Sequence, residues 1–137
     1  MTRNPVLAWT REALLRAAYE RFGYAHEHAL HELYGLYGQG LISYPRTDCG
    51  YLPTMLIKDM RKVAKSLVGI ARTPGFNPRT KGSVWNDERV TVHHGIVPLK
   101  ATAARLALTG LNEVQQNLYR LICERFVELF TDIQEAS

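Results

Sequence analysis

Just after Thr10, apolar residues begin to recur every three to four positions. Leu14, Leu15, Ala18 and Phe22 fall on one side of a 3.6-residue period, the pattern of an amphipathic helix. Thr10 suits the N-cap, because its hydroxyl can take a backbone N–H of the first turn, and Gly23 reads as the stop. A second helix is predicted over 26–37, with Leu30, Leu33 and Tyr37 as its buried stripe and with Gly38 and Gly40 ending it. Only Gly23, Tyr24 and Ala25 separate the two, so they form a helix–turn–helix pair. Leu41, Ile42 and Ser43 follow as a brief extended piece. Pro53 can occupy the first turn of a third helix. In it, Leu56, Met60, Val63, Leu67 and Ile70 keep one apolar face, and Lys58, Arg61, Lys62 and Lys65 lie on another. The stretch from Thr73 to Gly82 holds two prolines and two glycines and reads as loop. Val84 and Trp85, then Asn86-Asp87-Glu88, then 89–92 predict a β-hairpin. The segment 99–109 allows a short helix. Asn112 with Gln115 three residues on is a capping signal. It opens a long terminal helix marked by Val114, Leu118, Leu121, Ile122, Phe126, Leu129 and Phe130. The expected fold class is mainly α with a small β-hairpin, in a helix–turn–helix or winged-helix arrangement.

Composition adds bounds to this pattern. A chain of 137 residues suits a single domain with a real core. No apolar run reaches the roughly 18 residues of a membrane span, and no long apolar stretch follows the N-terminal Met1-Thr2-Arg3-Asn4-Pro5, so neither span nor signal peptide is expected. Cys49 and Cys123 lack metal-like spacing and read as free thiols of a reducing cytoplasm. The formal charge of +4 is a weak pointer to a polyanionic partner. Its placement is more telling. Lys58, Arg61, Lys62 and Lys65 are either a solvated helix face or a track for DNA backbone phosphates, salt-dependent and indifferent to sequence.

The chemistry concentrates in Ser43-Tyr44-Pro45-Arg46-Thr47-Asp48-Cys49-Gly50. Proline disfavours helix at the residue before it and fixes its own φ near the extended region. Residues i and i+2 of an extended segment point the same way, so Tyr44 and Arg46 should project together, about 7 Å apart. That gap suits a phosphate, with a nucleophilic oxygen on one side and a planar cationic donor on the other. Tyr44 needs help, because at its ordinary pKa of about 10 only about one phenol in a thousand is ionised at pH 7. Arg46 is the obvious cation. Asp48 either caps the following turn or orients Arg46. Trp85 either packs in the core or stacks on an unpaired base. His93 and His94 are not expected to bind metal, because adjacent strand residues face opposite ways and no carboxylate or thiolate set accompanies them.

The segment 40–49, Gly-Leu-Ile-Ser-Tyr-Pro-Arg-Thr-Asp-Cys, closely resembles the active-site tyrosine segment of type IA DNA topoisomerases, in particular the topoisomerase III branch. Tyr51-Leu52-Pro53 matches that branch's continuation. Val92-His93-His94-Gly95-Ile96-Val97-Pro98 is similar to the family's histidine motif, and weaker resemblance runs from about Thr10 through Phe130. The resemblance implies Tyr44 as nucleophile, Arg46 as phosphate ligand and His93 in the phosphate or acid–base network. It also implies a 5′-phosphotyrosine link, strand passage and religation on single-stranded or underwound DNA. Family enzymes hold magnesium on a Toprim domain, whose Asp-x-Asp cluster does not occur in these residues. The expectation is therefore the tyrosine-bearing domain of a larger bacterial cytoplasmic, nucleoid-associated enzyme, inactive without its other domains. Two positions depart from the pattern. Leu99 stands where threonine is usual, which puts a minor polar contact in doubt. Gly95 stands where alanine is common, which reads as harmless. The competing reading is a non-catalytic winged-helix module that only binds DNA.

Overall fold

Thr10 caps α1 (Arg11–Phe22) by accepting the Ala13 N–H at 3.2 Å. Gly23 closes it in the left-handed conformation, φ 77°, its N–H donating to the Tyr19 carbonyl. The computed structural model describes residues 6–67, 71, 74–99 and 109–131. Two residues after Gly23 comes α2 (His26–Gly38). A short 3-10 turn (Thr54–Leu56) leads into α3 (Ile57–Ser66), and the long α4 (Glu113–Glu128) follows much later. The capping box of α4 forms as its sequence predicts. Asn112 Oδ1 accepts the Gln115 N–H at 2.8 Å, and Gln115 Oε1 accepts the Asn112 N–H at 3.4 Å. Among the described residues no helix is long and apolar enough to cross a membrane.

The core lies where α4 packs on α2 and α1, which also pack on each other. Leu14, Leu15 and Ala18 of α1 are buried there with Leu118, Leu121, Ile122 and Phe126 of α4. The face of α2 is rotated from the predicted one. Ala29, Leu33 and Leu36 are buried, Leu30 is half-buried, and Tyr37 is 43% exposed. Tyrosine tolerates either setting because its ring is apolar and its tip polar, so counting Tyr37 in the buried stripe misplaced the face.

Three extended segments lie beside the helices. The first (7–11) joins the second (41–52) through Ala8 N–H to Gly50 and Arg11 N–H to Thr47. The third (94–99) joins the second through Ser43 N–H to Val97 and Leu99 N–H to Leu41, and the first through Ile96 N–H to Trp9. The ladder consists of isolated bridges, Trp9 with Ile96 and Ile42 with Pro98, both antiparallel.

The predicted hairpin at 84–92 does not form. Trp85 instead bridges Leu52 in parallel, and Asp87–Arg89 is a 3-10 turn capped by the Asn86 side chain. The Asp87 carboxylate explains the choice. It accepts from the Thr54 N–H at 2.9 Å and the Thr54 hydroxyl at 2.7 Å, pulling 86–89 onto the turn before α3. Trp85 is buried with its ring 6.0 Å from Phe130, so of its two readings the core one holds. In α3, Met60, Val63 and Leu67 are buried as the apolar face predicts. Lys58, Lys62 and Lys65 are exposed, but Arg61 is half-buried and donates to the Arg79 carbonyl at 3.3 Å. Ile70, Thr73 and most of the 99–109 segment lie outside the described residues. Both cysteines are buried and free.

Candidate active site around Tyr44

Burial alternates cleanly along the tyrosine segment. Ser43, Pro45, Thr47 and Cys49 are buried, whereas Tyr44 is half-buried and Arg46 and Asp48 are exposed. This is the period-two pattern of extended chain, and it puts Tyr44 and Arg46 on one outward face as the proline predicts. Ser43 fixes the register. Its hydroxyl accepts the Val97 N–H at 2.9 Å and donates to the Gly95 carbonyl at 3.2 Å. The tyrosine segment is thereby stapled to the segment carrying His93. Gly95 lets them close. A Cβ there would stand 2.6 Å from the Ala8 Cβ and 3.1 Å from the Gly50 carbonyl oxygen. Glycine at 95 is thus more than a harmless departure in this chain, because Ala8 occupies the space an alanine methyl would need.

Tyr44 sits in an aromatic cluster. The His93 ring lies 4.7 Å from it, Tyr37 meets it edge-on at 5.4 Å, and Tyr34 lies at 6.5 Å, all centroid to centroid. Tyr34 and Tyr37 come from α2, three residues apart and hence on one face. The hydrogen bond with the Tyr34 side chain, followed by desolvation and the nearby phenols, holds the Tyr44 pKa above the ordinary tyrosine value. Arg46 acts in the opposite sense, as expected of a cation, but the phenols outweigh it. The surroundings of the nucleophile candidate thus disfavour its phenolate.

Arg46 and His93 line a cleft of about 450 Å³ together with Arg11, Glu12, Thr47, Asp48, Thr91 and Val92. Arg11 stands in the first turn of α1 and is ion-paired to Glu12 at 2.9 Å. The local turn expected of Asp48 is made by Thr47, whose Oγ1 accepts the Cys49 N–H at 3.1 Å. Asp48 forms no ion pair with Arg46 among the described residues. His94 Nδ1 lies 2.8 Å from the Gly95 carbonyl oxygen. Lys58, Lys62 and Lys65 do not line this cleft. Sequence reasoning missed Ser43, Tyr34 and Arg11. The signal for Tyr34 was its i, i+3 relation to Tyr37 shortly before the tyrosine motif. The signal for Ser43 was a polar residue at the buried parity of the segment.

Among the described residues there is no group of three or more His, Cys, Asp or Glu side chains placed to hold a metal ion. What the cluster offers is a phenol packed against an imidazole, and a cleft lined by that imidazole and a guanidinium.

The chain is similar to known DNA topoisomerases. A DNA topoisomerase family profile matches residues 1–136. DNA topoisomerase 3 of Bacillus licheniformis is 34% identical over 121 residues, covering 83% of this chain and 16% of that protein. DNA topoisomerase 3 of Salmonella typhimurium is 30% identical over 129 residues, covering 90% of this chain and 19% of that protein. The chain thus spans less than a fifth of the length of these relatives. In three dimensions it is similar to full-length topoisomerase I of Thermotoga maritima, with a TM-score of 0.66 at 20% identity, covering 96% of this chain and 21% of that one. At that identity the likeness speaks to the fold. With a family profile running along nearly its whole length, the chain belongs to the type IA DNA topoisomerases.

Proposed function

We propose that Tyr44 is the nucleophile of a transient single-strand break in DNA, made by a longer protein in which this chain supplies the tyrosine. The phenol oxygen attacks the scissile phosphate as its proton leaves. The new O–P bond forms to the 5′ phosphate, the P–O3′ bond breaks, and the departing 3′ oxygen takes up a proton. A second DNA segment passes through the gap, and the 3′ hydroxyl then attacks phosphorus and expels Tyr44. One phosphodiester becomes another at each step, so no external energy is needed. Arg46 holds the phosphate oxygens as charge develops on them. His93 serves the phosphate or the proton transfers. The substrate is single-stranded or underwound DNA, and exposed Lys58, Lys62 and Lys65 contribute backbone contacts away from the reaction. Magnesium is left to the Toprim domain that the family implies, and no step above runs through it. The setting is the bacterial cytoplasm, on nucleoid DNA.

The observation that carries this reading is the His93 ring packed against Tyr44, 4.7 Å between centroids and tilted by 52°, with His93 and Arg46 sharing one cleft. A module that only bound DNA would have no use for a tyrosine so placed. A winged-helix binder would also need a wing, and 84–92 makes a 3-10 turn instead. The test combines this chain with magnesium, a separately expressed Toprim-containing remainder, and single-stranded DNA labelled on one side or the other. A denaturing gel should show a covalent adduct that keeps only the 3′-side label and vanishes in Tyr44→Phe. Equal adduct from wild type and Tyr44→Phe contradicts the proposal.

A further inference from the structure

The cleft beside Tyr44 holds more chemistry than one phosphate requires. Its lining includes Arg46 and His93, whose ring packs against Tyr44, together with Arg11, Glu12, Asp48 and Thr91. Its lining sets two guanidinium groups against two carboxylates. Glu12 is taken up by Arg11, with Nε and Nη2 of Arg11 donating to Glu12 Oε1 at 3.2 and 2.9 Å. Asp48 forms no ion pair among the described residues. A bare anion calls for donors only. A nucleotide calls for donors to its phosphate and acceptors for its base N–H groups, and the cleft supplies both. Its volume of about 450 Å³ also falls in the range of sites that enclose a small molecule.

Arg11 can be recruited easily. Its side chain is 32% exposed and that of Glu12 is 64% exposed, and such surface pairs contribute little. A backbone phosphodiester offers a guanidinium a bidentate partner of the same single charge. Exchanging Glu12 for a phosphate therefore costs Arg11 little.

We propose that this cleft receives the nucleotide flanking the scissile phosphate, with the Arg11 guanidinium as ligand of that nucleotide's own phosphate and Glu12 as the partner it displaces. This rests on the reading of Tyr44 given above. Arg11 is a binding residue here and takes no part in the bond changes.

Fluorescence anisotropy of a labelled single-stranded oligonucleotide, titrated with the chain across a salt series, tests it. Arg11→Ala should weaken binding several-fold at low salt and reduce the slope of log K against log salt by about 0.7, the value for one phosphate contact on a single strand. Glu12→Gln should tighten binding, but only while Arg11 is present. Arg120→Ala, an exposed α4 arginine outside the cleft, should bind like wild type. The proposal is overturned if Arg11→Ala matches Arg120→Ala. It is equally overturned if Glu12→Gln tightens binding to the same degree without Arg11, or if wild type shows no salt-dependent binding. Loss of Arg11 dependence while the Tyr44 adduct still forms removes the cleft alone. Arg11 dependence with no adduct from the complete set of parts removes the reading of Tyr44 instead.

Discussion

The hydrogen bond with the Tyr34 side chain raises the Tyr44 pKa, against the pull of Arg46. The hydrogen bond favours the neutral phenol, so its removal should lower the Tyr44 pKa. Tyr34→Phe is therefore expected to shift the phenolate titration of Tyr44 to lower pH in ultraviolet absorbance. Adduct formation should rise at lower pH in step with it. An unchanged titration would mean that Tyr34 does not set the protonation of Tyr44. Gly95 makes the second residue-scale prediction. A methyl at this position would stand 2.6 Å from the Ala8 Cβ, and overpacking of this kind costs about 1–3 kcal/mol. Gly95→Ala should lower the melting temperature, and adding Ala8→Gly should restore most of the loss. If the double variant melts no higher than Gly95→Ala, Ala8 is not the obstruction.

Elements built on local rules were readable from the chain. The N-cap Thr10, the left-handed stop Gly23 and the Asn112–Gln115 box are local signals, and each appears where the sequence puts it. The proline-imposed alternation of 43–49 was legible for the same reason. The hairpin at 84–92 failed because its outcome depends on a partner distant in sequence. Thr54 claims Asp87, and Leu52 claims the backbone on either side of Trp85. The outward turn of Tyr37 and the staple by Ser43 likewise depend on which segments meet. Two predictions belong here. Ser43→Ala leaves the buried Val97 N–H without its partner, and an orphaned buried group costs about 1–3 kcal/mol. Urea unfolding should show that loss, and a cost below about 0.5 kcal/mol, the scale of a neutral surface change, would contradict the staple. Asp87 is held below the usual carboxylate range by its Thr54 hydrogen bonds, side chain first and backbone second. A depressed carboxylate stabilises above its unfolded pKa of about 4, and that contribution is lost as pH falls through the folded value. Asp87→Asn should melt lower at neutral pH and lose less on acidification than wild type. Parallel melting curves from neutral to acid pH would refute the clamp.

At the scale of the molecule, the helices act as a backing for three extended segments. Arg125 of α4 lies over the Trp9 ring at 3.7 Å and donates to the Leu7 carbonyl, and Trp9 Nε1 donates to the Leu121 carbonyl. The segment leading into Arg11 is thereby tied to α4, with the tyrosine and histidine segments held against it. Arg11, Arg46 and His93 reach one cleft because their three segments share this small ladder. The described residues bring together a phenol proposed as the nucleophile, a cation and an imidazole, with the phenol pKa raised. The proposed cleavage is expected to need the rest of the protein. The most direct measurement is to trap the adduct formed with that remainder, digest it with trypsin and fragment the peptide running from Phe22 to Arg46 by mass spectrometry. That peptide contains Tyr24, Tyr34, Tyr37 and Tyr44. The nucleotide should be found on Tyr44 alone. Attachment to Tyr34, Tyr37 or any residue outside the peptide would contradict the assignment of Tyr44 as the nucleophile.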